Sequence, residues 1–225
     1  MHAFLVLKAE DGKVIAVGDL ESVSRDDMVR ERMVFHFRDG SLDDETTVFR
    51  QRSTLQLVSD RHIQRGPSYP DSSNIFIEAR TGQVRSRTVK DGKEEVKTEH
   101  MDLPPDLANG MISAVVQNLP KDAAEVKVSY VGGDPKPRVV TLVITPRGKD
   151  TFRVAGEARE ALVYNIHIEL GGVAGVVAPL LGKQPSDTQI WVTAGEVHAF
   201  LKMKGALYEK GPIWTMEQTS AEWRR

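Results

Sequence analysis

The sequence predicts a mainly β protein, an antiparallel meander forming a curved sheet or half-open β-barrel with one packed helix at about 105–118. Three observations predict it. Apolar and polar residues alternate along most of the chain, the pattern of strands with one buried face. Glycine turns separate the alternating runs, and strands at spacings of about ten residues suit a meander that curls on itself. One stretch alone carries apolar residues at helical spacing.

Taken in order, alternating runs fall at 2–9, 13–21, 28–38, 45–51, 53–65, 74–79, 83–90, 93–100, 124–131, 138–146, 151–155, 188–193 and 213–219. The clearest are "LVYNIHIE" at 162–169 and "VHAFLKMK" at 197–204. The first puts Leu162, Tyr164, Ile166 and Ile168 on one face and Val163, Asn165, His167 and Glu169 on the other. The turns "EDGK" at 10–13, "RDGS" at 38–41, "TGQ" at 81–83, "DGK" at 91–93 and "VGGDPKP" at 131–137 lie between runs. Aspartate-glycine in that setting is a strong hairpin cue, because tight turns need positive φ. The loop "RGPSYPDSSN" at 65–74 holds two prolines that cannot continue a central strand.

In "DLPPDLANGMISAVVQNLP", 102–120, prolines stand where a helix start tolerates a missing amide. Leu107, Met111 and Val115 then recur at helical spacing, and Pro120 ends the run. Such a helix reads as a plug on the β core. No composition shift or internal repeat divides the chain, so residues 1–225 are expected to form a single β-barrel-like domain.

Composition excludes several classes. There are no cysteines, hence no thiolate zinc site, disulfide or cysteine nucleophile. Thirty basic and 32 acidic residues are well mixed, without the basic surplus of a nucleic-acid binder. The basic residues between Arg80 and His100 are interleaved with acids and lack aromatics, so no nucleic-acid partner is expected. No apolar stretch reaches the roughly 18 residues of a spanning helix. "MHAFLVLKAE" enters directly into a strand pattern, consistent with a cytoplasmic protein or with an exported one whose targeting segment has been trimmed.

The motifs are mostly negative. In "GGVAGVVAPLLGKQP", 171–185, Gly182-Lys183 suggests a phosphate loop, but Val177 stands where the first glycine belongs and Gln184 where Ser or Thr belongs. The acidic turn with Asp39, Asp43, Asp44 and Glu45 lacks calcium-loop spacing and reads as a solvated hairpin. No metal or cofactor is called for. The six histidines show no zincin spacing. His167 shares a face with Glu169, and His198 with Glu196. These four would form a His/Glu acid–base cluster if their strands converged, and otherwise are the polar sides of two strands. No serine sits in a nucleophile elbow. "DRHIQRGPSYP" gathers Asp60, Arg61, His62, Arg65 and Tyr69, either an anion grip or an ordinary strand exit, with the exit favoured. The greasy 171–182 segment reads as a buried crossover or as an apolar lip on a hydrophobic cavity.

"HMDLPPDLANGM" at 100–111 and the block "GGVAGVVAPLLGKQPSDTQIWVTAGEVHAFLKMKGALYEKGPIWTMEQTSAEW" at 171–223 resemble a set of uncharacterised bacterial exported proteins. That resemblance implies a periplasmic or cell-envelope location and transfers no activity. More distantly, a curved sheet with a helical plug resembles the LolA/LolB-like lipoprotein-carrier fold, whose members begin with a helix where this chain begins with a strand. The leading expectation is a non-catalytic envelope protein that binds or carries a hydrophobic, lipid-like ligand. Leu107, Met111, Val115, Val173, Val176, Val177, Leu180 and Leu181 would line its cavity. The alternatives are a hydrolase using His167, His198, Glu169 and Glu196, and a structural module that recruits a partner strand at an exposed sheet edge.

Overall fold

The computed structural model describes residues 1–120, 122–132, 137–154, 157–170 and 184–219. Fourteen strands form one antiparallel sheet. They are β1 His2–Lys8, β2 Val14–Arg25, β3 Met28–Phe37, β4 Leu42–Gln51, β5 Leu55–Arg65, β6 Ser72–Glu78, β7 Gln83–Lys90 and β8 Lys93–His100, then β9 Val126–Gly132, β10 Arg138–Val154, β11 Glu157–Glu169, β12 Thr188–Thr193, β13 Phe200–Gly205 and β14 Trp214–Thr219. Each strand pairs with the next in sequence except β8 with β9, and β1 also pairs with β14. β8 and β9 are therefore the two edges, and the sheet does not close into a barrel.

The predicted alternation becomes two faces. Leu5 and Leu7 on β1, Phe35 on β3, Ile144 on β10 and Ile190 and Val192 on β12 are fully buried and share one core. Burying each such side chain contributes about 1.5–3 kcal/mol. The core also takes in Leu107, Met111 and Val116 from the connection between the two edge strands, so that connection fills the concavity.

The helix is shorter than its spacing predicts. α1 spans only Ile112–Gln117 and lies against β12. Residues 106–109 instead run along the β9 edge: Leu107 forms a parallel bridge with Ser129, whose amide donates to the Asp106 carbonyl and whose carbonyl accepts from the Ala108 amide. Asn109 completes the join, its Nδ2 donating to the Val131 carbonyl at 2.9 Å and its Oδ1 accepting from the Val131 amide at 2.8 Å. Gly110 then turns the chain with φ +66°, a conformation no helix contains. Edge satisfaction at β9 wins over helix propensity.

The other edge is blunted differently. Every residue of β8 is charged or polar except Val96, the usual protection of an unpaired strand. The two runs expected at 138–146 and 151–155 are one strand, β10, with a register shift between Pro146 and Gly148. A bulge there accommodates a proline without ending the strand.

Candidate functional site

The site is built on the inner face of three consecutive strands. Register places Phe35, Asp43 and Gln64 in one row across β3, β4 and β5. The next row is Met33, Glu45 and His62, and the third is Glu31, Thr47 and Asp60. Successive rows are two residues apart, hence about 6.5–7 Å along the strands. A ladder of carboxylates thus crosses the concave face.

Asp43 is the best-connected member. Its Oδ1 lies 2.9 Å from His62 Nε2, while its Oδ2 accepts from Gln64 Nε2 at 2.9 Å and from the Tyr69 hydroxyl at 2.8 Å. Gln64 also donates to the Leu207 carbonyl at 2.9 Å. His62 Nδ1 stands 3.8 Å from Glu45 Oε1, and the Thr47 hydroxyl donates to Asp60 Oδ1 at 2.9 Å.

Burial and charge pull these groups apart. Burial opposes the charge on Asp43, but the His62 imidazolium and the hydrogen bonds from His62, Gln64 and Tyr69 outweigh it and hold the carboxyl below its usual range. Burial likewise opposes the charge on His62. Asp43, Glu45 and Asp60 overcome it and raise the imidazole to about 10. Glu45 and Asp60 go the other way: desolvation pushes both carboxyls up, and His62 relieves this only in part. The arrangement at neutral pH is an Asp43–His62 ion pair flanked by Glu45, raised to about 8, and Asp60, raised to about 6.

The two ends of the ladder differ. Beyond Asp43, Tyr69, Tyr208, Trp214 and Phe37 pack edge to face and close the interior. At the other end a pocket of about 180 Å³ opens beside Glu31, between β2–β4 and α1. Between them, Gly110 sits against Thr47 and Asp60, where a side chain would collide with both. The His62 and Glu45 side chains keep 24% and 18% exposure, so this part of the ladder stays accessible.

This arrangement stores protons and presents acceptors. Raised to about 10, the His62 imidazole is held protonated at neutral pH, which makes it a poor base for a hydroxyl nucleophile. Among the described residues no three His, Asp or Glu side chains are disposed to hold a metal ion. No described helix is long and apolar enough to cross a membrane.

The residues singled out from the sequence lie elsewhere. His167 is paired with Asp187 at 2.7 Å and Glu169 with Lys127 at 3.2 Å. Both are partly solvent-exposed on β11. His198 is buried with Nε2 lacking a hydrogen-bond partner, whereas Glu196 is exposed. No contact brings these four together among the described residues. Leu107 and Met111 are buried in the core and Val115 is half-buried against it. Val173, Val176, Val177, Leu180 and Leu181 lie outside the described residues.

The site's own members were in view but misplaced. Asp43 and Glu45 belong to the segment read as a solvated turn, and Asp60, His62 and Tyr69 to the one read as a strand exit. In the structure all five point inward or are buried, while Asp44 faces out to a bidentate pair with Arg32. The signal that finds them is cross-strand: polar residues two apart on β4 meet polar residues two apart on β5.

No protein-family model matches the chain, and no curated protein matches it. Among solved structures, the chain is similar to the hypothetical lipoprotein YmcC from Escherichia coli. The superposition covers 99% of this chain and 86% of that one, with 8% identity and a TM-score of 0.43.

Proposed function

We propose that the protein is a non-catalytic binding protein of the bacterial envelope, holding an amphipathic, lipid-like ligand against the concave face of its half-open sheet. The observation that carries this reading is the contrast within that face: an apolar core crossed by one ladder of carboxyl groups, beside which His62 and Glu45 stay partly accessible. Pockets of this kind fix an apolar body with a few convergent polar groups. The protonated state in which the surrounding carboxyl groups hold His62 favours binding over catalysis. In this reading Leu107, Met111 and Val115 form a plug that the ligand's chain lies against. The envelope location follows from the resemblance to exported proteins.

The test is native mass spectrometry with organic extraction of protein purified from a bacterial host. The expected result is a co-purifying amphiphile released on denaturation. A clean apo mass, together with no uptake from phospholipid vesicles or fatty acid, would overturn the reading.

A further inference from the structure

The pocket beside Glu31 has a chemistry of its own. Its walls are Val29 and Phe49 from the sheet and Ala114 from α1, and its polar lining comes from Ser22, Ser24, Glu31, Gln51, Gln117 and Asn118. Glu31 is the only charged side chain in that lining. At about 180 Å³ the pocket is smaller than the ~300–1,000 Å³ that hold drug-sized ligands, which suits it to one functional group.

Two of its side-chain amides donate to the helix rather than into the pocket. Gln117 turns its amide nitrogen back to the Ser113 carbonyl at 3.1 Å, and Asn118 does the same to the Ala114 carbonyl at 2.8 Å. Their amide oxygens are left uncommitted to the helix. The Ser22 hydroxyl serves the Glu31 carboxyl, which burial raises above its ordinary value. A half-buried carboxyl with no cation in the lining lacks a positively charged partner.

We propose that this pocket binds an organic ammonium group, with the Glu31 carboxylate as counter-ion and the side-chain oxygens of Gln117 and Asn118 accepting its remaining N–H bonds. An ammonium carries three donors in a compact tetrahedral array, and Glu31, Gln117 and Asn118 line the pocket with acceptor-bearing side chains from a strand and a helix end. An anion would meet Glu31 and is excluded by charge. The ammonium belongs either to a lipid head group or to a small free amine. The site stands on its own lining and does not require the amphiphile reading.

The experiment is a titration of the whole chain followed by ¹⁵N–¹H NMR, with n-butylammonium and its neutral isostere n-butanol as probes. The expected result is saturable shifts at Ser22, Glu31, Gln117 and Asn118 with butylammonium and none with butanol. Glu31→Gln should weaken butylammonium about tenfold or more, the scale of a lost charged hydrogen bond. Equal responses to the two probes, or no saturable shift in the pocket, would overturn the proposal without recourse to a variant. Dodecylammonium below its micellar concentration distinguishes the sources. Tighter binding than butylammonium identifies a lipid head group, and equal binding a free amine. Both support the ammonium site, and only the first also strengthens the amphiphile reading.

Discussion

His62 stands opposite Glu45 in strand register but makes its hydrogen bond diagonally, to Asp43, with Nε2 2.9 Å from Oδ1. The diagonal choice leaves Glu45 3.8 Å from the other ring nitrogen, so one imidazolium faces two carboxyl groups of the same strand and pairs closely with one of them. Removing it strands Asp43, which is almost fully buried. Breaking a buried ion pair from one side typically costs about 3–5 kcal/mol, because the surviving charge loses its compensation. His62→Gln is therefore expected to destabilise the fold by about that amount in equilibrium urea unfolding. Asp43→Asn should cost less, because the orphaned imidazole can shed its proton. Equal stability of His62→Gln and the parent chain would refute the ion-pair assignment.

The same cluster sets the direction of the pH dependence. His62 is raised in the fold from 6.5 to about 10, so its stabilisation is complete below pH 6.5 and is lost as pH rises through 10. Glu45 and Asp60 are also raised, and the fold favours their protonated forms, so their contribution too fades as pH rises. Asp43 is lowered and acts oppositely, withdrawing stability only in strong acid, as pH falls below the ordinary carboxylate range. The melting temperature should thus peak in weak acid and fall steadily toward pH 10, by on the order of a few kcal/mol in stability. His62→Gln should flatten that alkaline fall. A parent chain equally stable at pH 6 and pH 10 would contradict it.

The sheet was legible in the sequence because most strands contrast an apolar face with a polar one, as Leu162, Tyr164, Ile166 and Ile168 do on β11. The site was not, because β4 offers no such contrast. Its inward residues are Asp43, Glu45, Thr47 and Phe49, and its outward ones include Leu42, Asp44, Thr46 and Val48. With polar residues on both faces, period two cannot say which face turns in; only the partners Phe35 on β3 and Gln64 and His62 on β5 decide it. The helix was overlong for a related reason. Periodicity sees Leu107 and Met111 as helix positions, while the hydrogen bonds that pull 106–109 onto β9 are long-range and leave no local trace.

Gly110 is where that connection touches the site. Its φ is +66°, and an added Cβ would fall inside contact distance of Thr47 Oγ1 and 2.6 Å from Asp60 Oδ1. Gly12, in the first hairpin turn, has φ +82° with nothing within 4 Å of the same position. Gly12→Ala should therefore cost only the backbone strain, about 1 kcal/mol. Gly110→Ala carries that strain plus the collision and disturbs the Thr47–Asp60 hydrogen bond, for a loss of about 3 kcal/mol or more. Paired denaturation curves check this. If the two alanine variants lose the same stability, Gly110 is not packed against the acid ladder.

Asn109 does the work of a strand residue with a side chain. Its amide both donates to and accepts from Val131, replacing the two ladder bonds that the β9 edge lacks. Asn109 is buried, so Asn109→Leu, close in volume but apolar, would leave the Val131 N–H and C=O without partners in a dry setting. Each such orphan costs about 1–3 kcal/mol, and the expected loss is about 2–4 kcal/mol. The change also uncovers an edge strand that, unlike β8, includes Val126, Val128, Tyr130 and Val131 among its seven residues. Such an edge templates pairing with another chain. Asn109→Leu should therefore combine lower stability in urea with concentration-dependent association in light scattering. Lower stability without association would mean that residues 106–108 alone keep the edge covered.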